Sequence, residues 1–221
     1  MMGFDRITCI NSLLQYTPTK AYLEIGIRYG DTLAMIDSPD KTGVDPQPQL
    51  EKLPPELAHG LASTKIFQIT SDNFFLTNKK KFDVIFIDGL HLYEQVLADI
   101  SNGFKFLNEG GFIVLHDCCP VDAYSAIREQ HDGLWFGDVW KVIPHIKRDY
   151  PGIGYVVIDE DRGLGILWKK SRIPELRYDE KFVHLSFDFY LQKRKTFQNL
   201  IAPSHLPKLL SKLIDRVGYI K

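Results

Sequence analysis

Two short segments of this 221-residue chain hold the residue types that move protons and bind cations. The first is Asp88-Gly89-Leu90-His91-Leu92-Tyr93, and the second is His116-Asp117-Cys118-Cys119-Pro120. Each follows an apolar run, FDVIFID at 82–88 and GFIVLHD at 111–117, of the kind that forms a strand covered on both faces. Neighbouring strands would bring Asp88, His91, His116 and Asp117 together at their ends. An imidazole titrates near neutrality, so His91 is a candidate general base. An unperturbed imidazole is largely neutral at cellular pH and free to take a proton. The alternative is a histidine that caps or orients the helix after it. Asp88, His116 and Asp117 are candidate ligands of a divalent ion, which would orient two adjacent hydroxyls and lower the pKa of one. Magnesium prefers an all-oxygen shell, so a histidine ligand would favour Mn, Fe or Zn. The alternative for Asp117 is a helix cap or a bond to loop amides. Cys118 and Cys119 read as small packing residues.

A second set of residues suits a nucleoside. The run AYLEIGI ends in Glu24-Ile25-Gly26-Ile27-Arg28-Tyr29-Gly30-Asp31-Thr32. Gly26 and Gly30 permit a turn lying close against a ligand. Their G-x-x-x-G spacing differs from the G-x-G-x-x-G of a dinucleotide fold, which disfavours a pyrophosphate cradle. The next run, TGVD, ends at Asp45, where a carboxylate can accept hydrogen bonds from both ribose hydroxyls. The third, KIFQIT, ends in Thr70-Ser71-Asp72, where another acid can meet an adenine amino group. Each Asp alone could be a turn or cap residue; three strand ends agreeing is harder to assign to turns.

These groups need a scaffold that gathers strand ends. Seven apolar runs, at 21–27, 42–45, 65–70, 82–88, 111–117, 154–159 and 163–168, alternate with helical patterns. Tyr93, Val96, Leu97, Ile100, Phe104 and Leu107 form one helical stripe, with Glu94, Asp99, Asn102 and Lys105 off it. Ile7, Ile10, Leu13 and Leu14 form another, closed by Pro18. This rhythm predicts an α/β fold: a Rossmann-like, doubly wound, mostly parallel seven-stranded sheet with helices on both faces. Its ligands bind beyond the carboxyl ends of the strands.

Composition agrees with a globular protein: 44% hydrophobic, 25% charged, formal net charge −1. That balance gives no reason to expect nucleic acid. No apolar run approaches the roughly 20 residues of a membrane span, and the start has no signal-peptide pattern. Three cysteines, two of them adjacent, make no disulfide framework, so a cytoplasmic location is expected.

The segments YLEIGIRYGDT, GVDP, FDVIFIDGLHLYEQVLADI and LNEGGFIVLHD, in this order, resemble class I S-adenosylmethionine-dependent methyltransferases. More narrowly, they resemble the branch containing sugar and macrolide O-methyltransferases, over roughly residues 20–170. The resemblance implies that Glu24, Gly26, Gly30 and Thr32 line the methionine part of the cofactor, that Asp45 holds the ribose, and that Ser71 and Asp72 lie near the adenine. Asp88 is expected both to bind the cofactor and to act with His91 in catalysis. Arg28 departs from the pattern, since many such enzymes have a third glycine there. In the similar sugar enzymes an acid two places before the matching Tyr is the base; here that place is His91. Those enzymes also hold a metal with an Asp on the fourth strand and paired acids after the fifth, where this chain has His116-Asp117. Gly137-Asp138-Val139-Trp140-Lys141 resembles a recurring segment of this branch; Asp138 is expected to N-cap the helix that follows and Trp140 to enter the core.

The expected function is transfer of a methyl group to a hydroxyl of a sugar, glycan or similar small molecule. The alternatives are a catalytically silent nucleoside-binding or scaffold protein, and an NAD-dependent oxidoreductase. Residues 1–170 are expected to form the methyltransferase domain and 171–221 a C-terminal extension. Within it Leu206, Leu209, Leu210, Leu213, Ile214 and Val217 share a helical face bordered by Lys208, Lys212 and Arg216. That face is expected to pack on its own domain or on a twin subunit in a homodimer; the alternative is contact with a membrane surface.

Overall fold

The computed structural model describes residues 3–217, with side chains through Leu213. Its elements run α1 (Arg6–Leu14), β1 (Ala21–Ile25), α2 (Asp31–Met35), β2 (Asp40–Val44), β3 (Lys65–Phe67), α3 (Ser71–Thr77), β4 (Phe82–Ile87), α4 (Tyr93–Phe106), β5 (Leu107–Leu115), α5 (Val142–Asp149), β6 (Ile153–Ile158), β7 (Leu164–Lys169), α6 (Glu180–Val183), α7 (Phe187–Phe197), β8 (Leu200–Ile201) and α8 (Leu206–Val217). The sheet order is β3-β2-β1-β4-β5-β7-β6-β8. The strands from β3 to β5 are parallel, while β7 runs antiparallel to both β5 and β6. All seven expected strands are present. The eighth, two residues long, pairs with β6 at the sheet edge and had no apolar run to announce it.

The apolar runs cover two faces at once because side chains alternate along a strand. Leu23, Ile25, Ile85, Ile87, Ile113 and Leu115 point into one core, with Phe74 of α3, Ile100 of α4, Ile143 of α5 and Tyr190 of α7. Tyr22, Val84, Phe86, Phe112 and Val114 point into the other, against Ile10 and Leu13 of α1, Leu33 of α2, and Leu206 and Leu210 of α8. The direction of winding reverses between β1 and β4, which pair directly with Ile25 opposite Ile87. A crevice therefore opens at their carboxyl ends.

Two details differ from expectation. Asp99, placed on the solvent side of α4 by periodicity, is 1% exposed. Gln95 Nε2 donates to it at 3.2 Å, and burial pushes its carboxyl up to about 7. Asp138 begins a short helical turn but makes no capping bond. Fully buried, it instead pairs with Arg128 and with Lys141, 2.8 Å away. Trp140 is in the core as expected. Leu206 and Leu210 of the α8 face are buried, and Leu209 and Leu213 pack partly against them. The side chains of Ile214 and Val217 lie outside the described residues. Among the described residues, no helix is long and apolar enough to cross a membrane.

Candidate active site

The crevice is a cleft of about 980 Å³, at the upper end of the range for small-molecule sites. Its floor is the close approach of two turns. Gly26 sits at φ +86°, and a Cβ there would lie 2.2 Å from the Asp88 carbonyl. Only glycine lets the β1 turn lie this close to the β4 turn. Glu24, Thr32, Asp45, Ser71, Asp72 and Asp88 all line the cleft with it. Gly30 does not. It holds the left-handed residue that starts α2, φ +82°, and packs against Leu50. Gly30 thus sets the turn between Tyr29 and Asp31, both of which line the cleft.

Along the cleft, each residue has a definite setting. Glu24 is 2% exposed and accepts a hydrogen bond from Tyr22 Oη at 2.7 Å. Burial pushes its carboxyl up to about 8. Asp45 is fixed by two backbone amides, Arg28 N at 2.9 Å and Gln47 N at 2.7 Å. Each of its oxygens keeps further acceptor capacity. Gln95 Nε2 bridges Ser71 and Asp72, 3.3 Å from each.

The groups read as chemical meet one another. Strand parity explains how: Glu24, Asp88 and His116 continue the even-numbered side of β1, β4 and β5, toward α1. His116 Nδ1 lies 3.2 Å from both Asp88 Oδ1 and Asp117 Oδ1. His91 Nε2 lies 3.3 Å from Asp88, and its Nδ1 3.3 Å from Asp117. Asp117, at φ +59°, is 1% exposed, and neither of its oxygens receives a hydrogen bond. One ligand atom each from Asp88, His116 and Asp117 falls within a 4.8 Å group. A buried carboxylate without donors, beside an imidazole and a second carboxylate, is a donor set that suits a divalent cation.

His91 does not cap α4, whose N-cap Leu92 makes no side-chain bond. Instead its Nδ1 donates to the Trp135 carbonyl at 3.1 Å, and its ring stacks on the Trp135 indole at 4.9 Å. The Gly137-Asp138 segment clasps it from behind. Asp138 N donates to the His91 carbonyl at 2.8 Å, and a Cβ on Gly137 would fall 2.2 Å from that oxygen. The recurring segment thus positions His91 through its backbone. Burial opposes charge on His91, but Asp88 and Asp117 outweigh it and raise its pKa above the ordinary value.

Sequence reasoning missed Arg6, Trp135, Asp161 and Arg162. Arg6, at the start of α1, forks onto Asp161 at 2.8 and 2.9 Å and reaches Asp88 at 3.1 Å. Asp161 also lies 3.4 Å from His116 Nε2. These pairs span up to 155 residues, and no local pattern announces them. The only sequence signal was Asp161-Arg162-Gly163 as a hairpin turn between β6 and β7.

Residues 23–118 match a family model described as a methyltransferase domain. Protein R132 of Acanthamoeba polyphaga mimivirus is 31% identical over 111 residues, 43% of this chain; the match spans half the length of that relative. Among solved structures, the SAH-bound methyltransferase PaMTH1 of Podospora anserina is 15% identical over 77% of this chain and 80% of its own, with a TM-score of 0.59. The O-methyltransferase of Bacillus cereus in complex with SAH is 14% identical over 73% of this chain and 79% of its own, at 0.53. The O-methyltransferase TomG of Streptomyces achromogenes, in complex with SAM, is 12% identical over 74% and 78%, also at 0.53. At these identities the likeness is one of fold.

Proposed function

We propose that this chain, whose residues 23–118 match a methyltransferase-domain model and whose fold resembles SAH-bound methyltransferases, transfers a methyl group from S-adenosylmethionine to an acceptor hydroxyl. The observation that carries the reading is the meeting of two sets of groups in one cleft. Glu24, Gly26 and Asp45 line one part, and Asp88, His91 and Asp117 line another. The cofactor supplies an electrophilic methyl on a sulfonium, so the protein's remaining tasks are alignment and proton removal. Gly26 admits the cofactor against the β1–β4 floor, Asp45 accepts the ribose hydroxyls, and Ser71 and Asp72 flank the adenine. Glu24 meets the methionine ammonium, and Thr32 closes the wall beside it.

His91 Nε2 is the nitrogen that takes the acceptor proton. Its Nδ1 is committed as a donor to the Trp135 carbonyl, which can only accept. Asp88 and Asp117 hold the imidazolium that results. Where a divalent ion is present, Asp88, His116 and Asp117 would hold it, and it would supply Lewis-acid lowering of the hydroxyl pKa. A sugar or glycan is the acceptor class favoured by resemblance.

Calorimetry with S-adenosylhomocysteine, followed by single-turnover methyl transfer on His91→Ala, tests this reading. Binding is expected in both proteins, with the transfer rate lowered about 10²–10⁴-fold in the variant. Absence of binding to the native chain, or normal transfer by a folded variant, would overturn it.

A further inference from the structure

Arg162 is the one cleft-lining arginine at the chemical end without a charged partner. Arg6 is consumed by Asp161 and Asp88. The Arg162 guanidinium, by contrast, makes no hydrogen bond or ion pair with any described residue; its contact is the face of Phe136, 5.8 Å from the ring centre. Asp161 is forked by Arg6, and Asp88 and Asp117 face the histidines. The backbone fixes the turn that carries Arg162. Asp161, Arg162 and Gly163 are all left-handed, at φ +44°, +66° and +92°, and this turn is anchored by Cys118 N and Cys119 N donating to the Gly163 and Arg162 carbonyls at 3.0 and 2.9 Å. The turn that delivers Asp161 to Arg6 thus also places Arg162, an exposed residue, in the lining of the cleft that holds His91 and Trp135.

We infer that Arg162 binds an oxyanion of the acceptor, so that the substrate carries a phosphate or carboxylate near the hydroxyl that is methylated. The inference rests on the methyltransferase reading. A guanidinium presents paired donors that match either oxyanion, and its fork fixes orientation as well as affinity. Anchoring a remote anion would align the acceptor hydroxyl with His91 without adding charge at the reacting oxygen.

The test uses the full chain saturated with S-adenosylhomocysteine, at constant ionic strength. Glucose 1-phosphate, glucuronate and glucose are titrated in separately and binding is followed by NMR. The native protein is expected to bind at least one of the two anions more tightly than neutral glucose. Preference for the ester assigns a phosphate source, and preference for glucuronate a carboxylate. Arg162→Gly suits a backbone at φ +66° and removes the side chain, and Arg162→Gln removes only the charge. Each should weaken the preferred anion by about tenfold to a hundredfold while leaving S-adenosylhomocysteine binding unchanged. Anions bound no better than glucose, or bound equally by both variants, would overturn the inference and leave the methyltransferase reading standing. A native chain that binds no S-adenosylhomocysteine would overturn both.

Discussion

Glu24 is a buried acid through which cofactor binding, proton release and stability would be coupled. Its carboxyl is raised from 4.5 to about 8 because burial disfavours the charged form. A folded-state pKa above the unfolded value means that the folded protein binds the extra proton. Stability is full below about pH 4.5 and is lost as pH rises through about 8. A methionine ammonium would reverse this by favouring the carboxylate. Binding of S-adenosylhomocysteine near pH 7 should therefore release a proton, visible as calorimetric enthalpies that vary with the ionisation enthalpy of the buffer. Glu24→Gln should abolish the release and flatten the fall in melting temperature over that pH range. Identical enthalpies in all buffers would remove Glu24 from the cofactor site. The candidate ligand group Asp88, His116 and Asp117 makes a separate prediction. Thorough chelation should slow methyl transfer and one divalent ion should restore it; unchanged activity would leave Asp117 as a partner of histidines only. At this scale the sequence was informative where chemistry is local. Glu24, Asp45, Asp88 and His91 stand at strand ends that apolar runs mark. It was silent about Arg6 and Asp161, whose pairing depends on where α1 and the β6–β7 turn meet in space.

Among elements, the segment joining β5 to α5 holds the most charge out of water. Asp138 is fully buried between Arg128 and Lys141, and Lys141 is itself only 6% exposed. Burying a pair gains little, but removing one member leaves an uncompensated charge. Asp138→Ala should destabilise the protein by about 3–5 kcal/mol, read as a shift in the urea midpoint. The contact with His91 runs through the Asp138 backbone N–H, which the substitution keeps. The folded fraction should then still bind S-adenosylhomocysteine. A change under about 0.5 kcal/mol, the range of ordinary surface substitutions, would refute this account. A helix cap was the natural reading of Gly137-Asp138 because an acid after a glycine and before a helix fits that pattern. Three-dimensional competition decided otherwise, since two cations reached the carboxylate first. The same limit hid Asp99. Periodicity assigned it to the solvent side of α4, and the neighbouring Gln95 made its burial tolerable.

At the scale of the molecule, the strand-helix rhythm stops near residue 170, but the two cores do not. Phe182, Tyr190 and Phe197 sit in the same buried cluster as β1, β4 and α4, with Trp140 packed edge-on against Tyr190 at 5.1 Å. Leu206 and Leu210 complete the opposite face with α1. Gln198 Nε2 donates to the Cys118 carbonyl at 2.8 Å, one residue beyond the site's Asp117, and β8 extends the sheet along β6. Each of these five apolar side chains is worth about 1.5–3 kcal/mol when fully buried. Together they contribute on the order of 10 kcal/mol, comparable to the whole stability of a typical domain. The change of sequence pattern near 170 is not a break in packing, and residues 171–213 pack on both faces of the sheet. A chain ending at Lys170 should lose its cooperative melting transition and its near-ultraviolet circular dichroism, and with them S-adenosylhomocysteine binding, even though Glu24, Asp45, Asp88 and His91 are all retained. The membrane-surface reading of α8 needs Leu206 and Leu210 free, and both are 1% exposed in the core. If the shortened chain instead melts cooperatively near the full-length temperature and binds the cofactor product, the extension is an addition to a self-sufficient domain, and its apolar face is available for another partner.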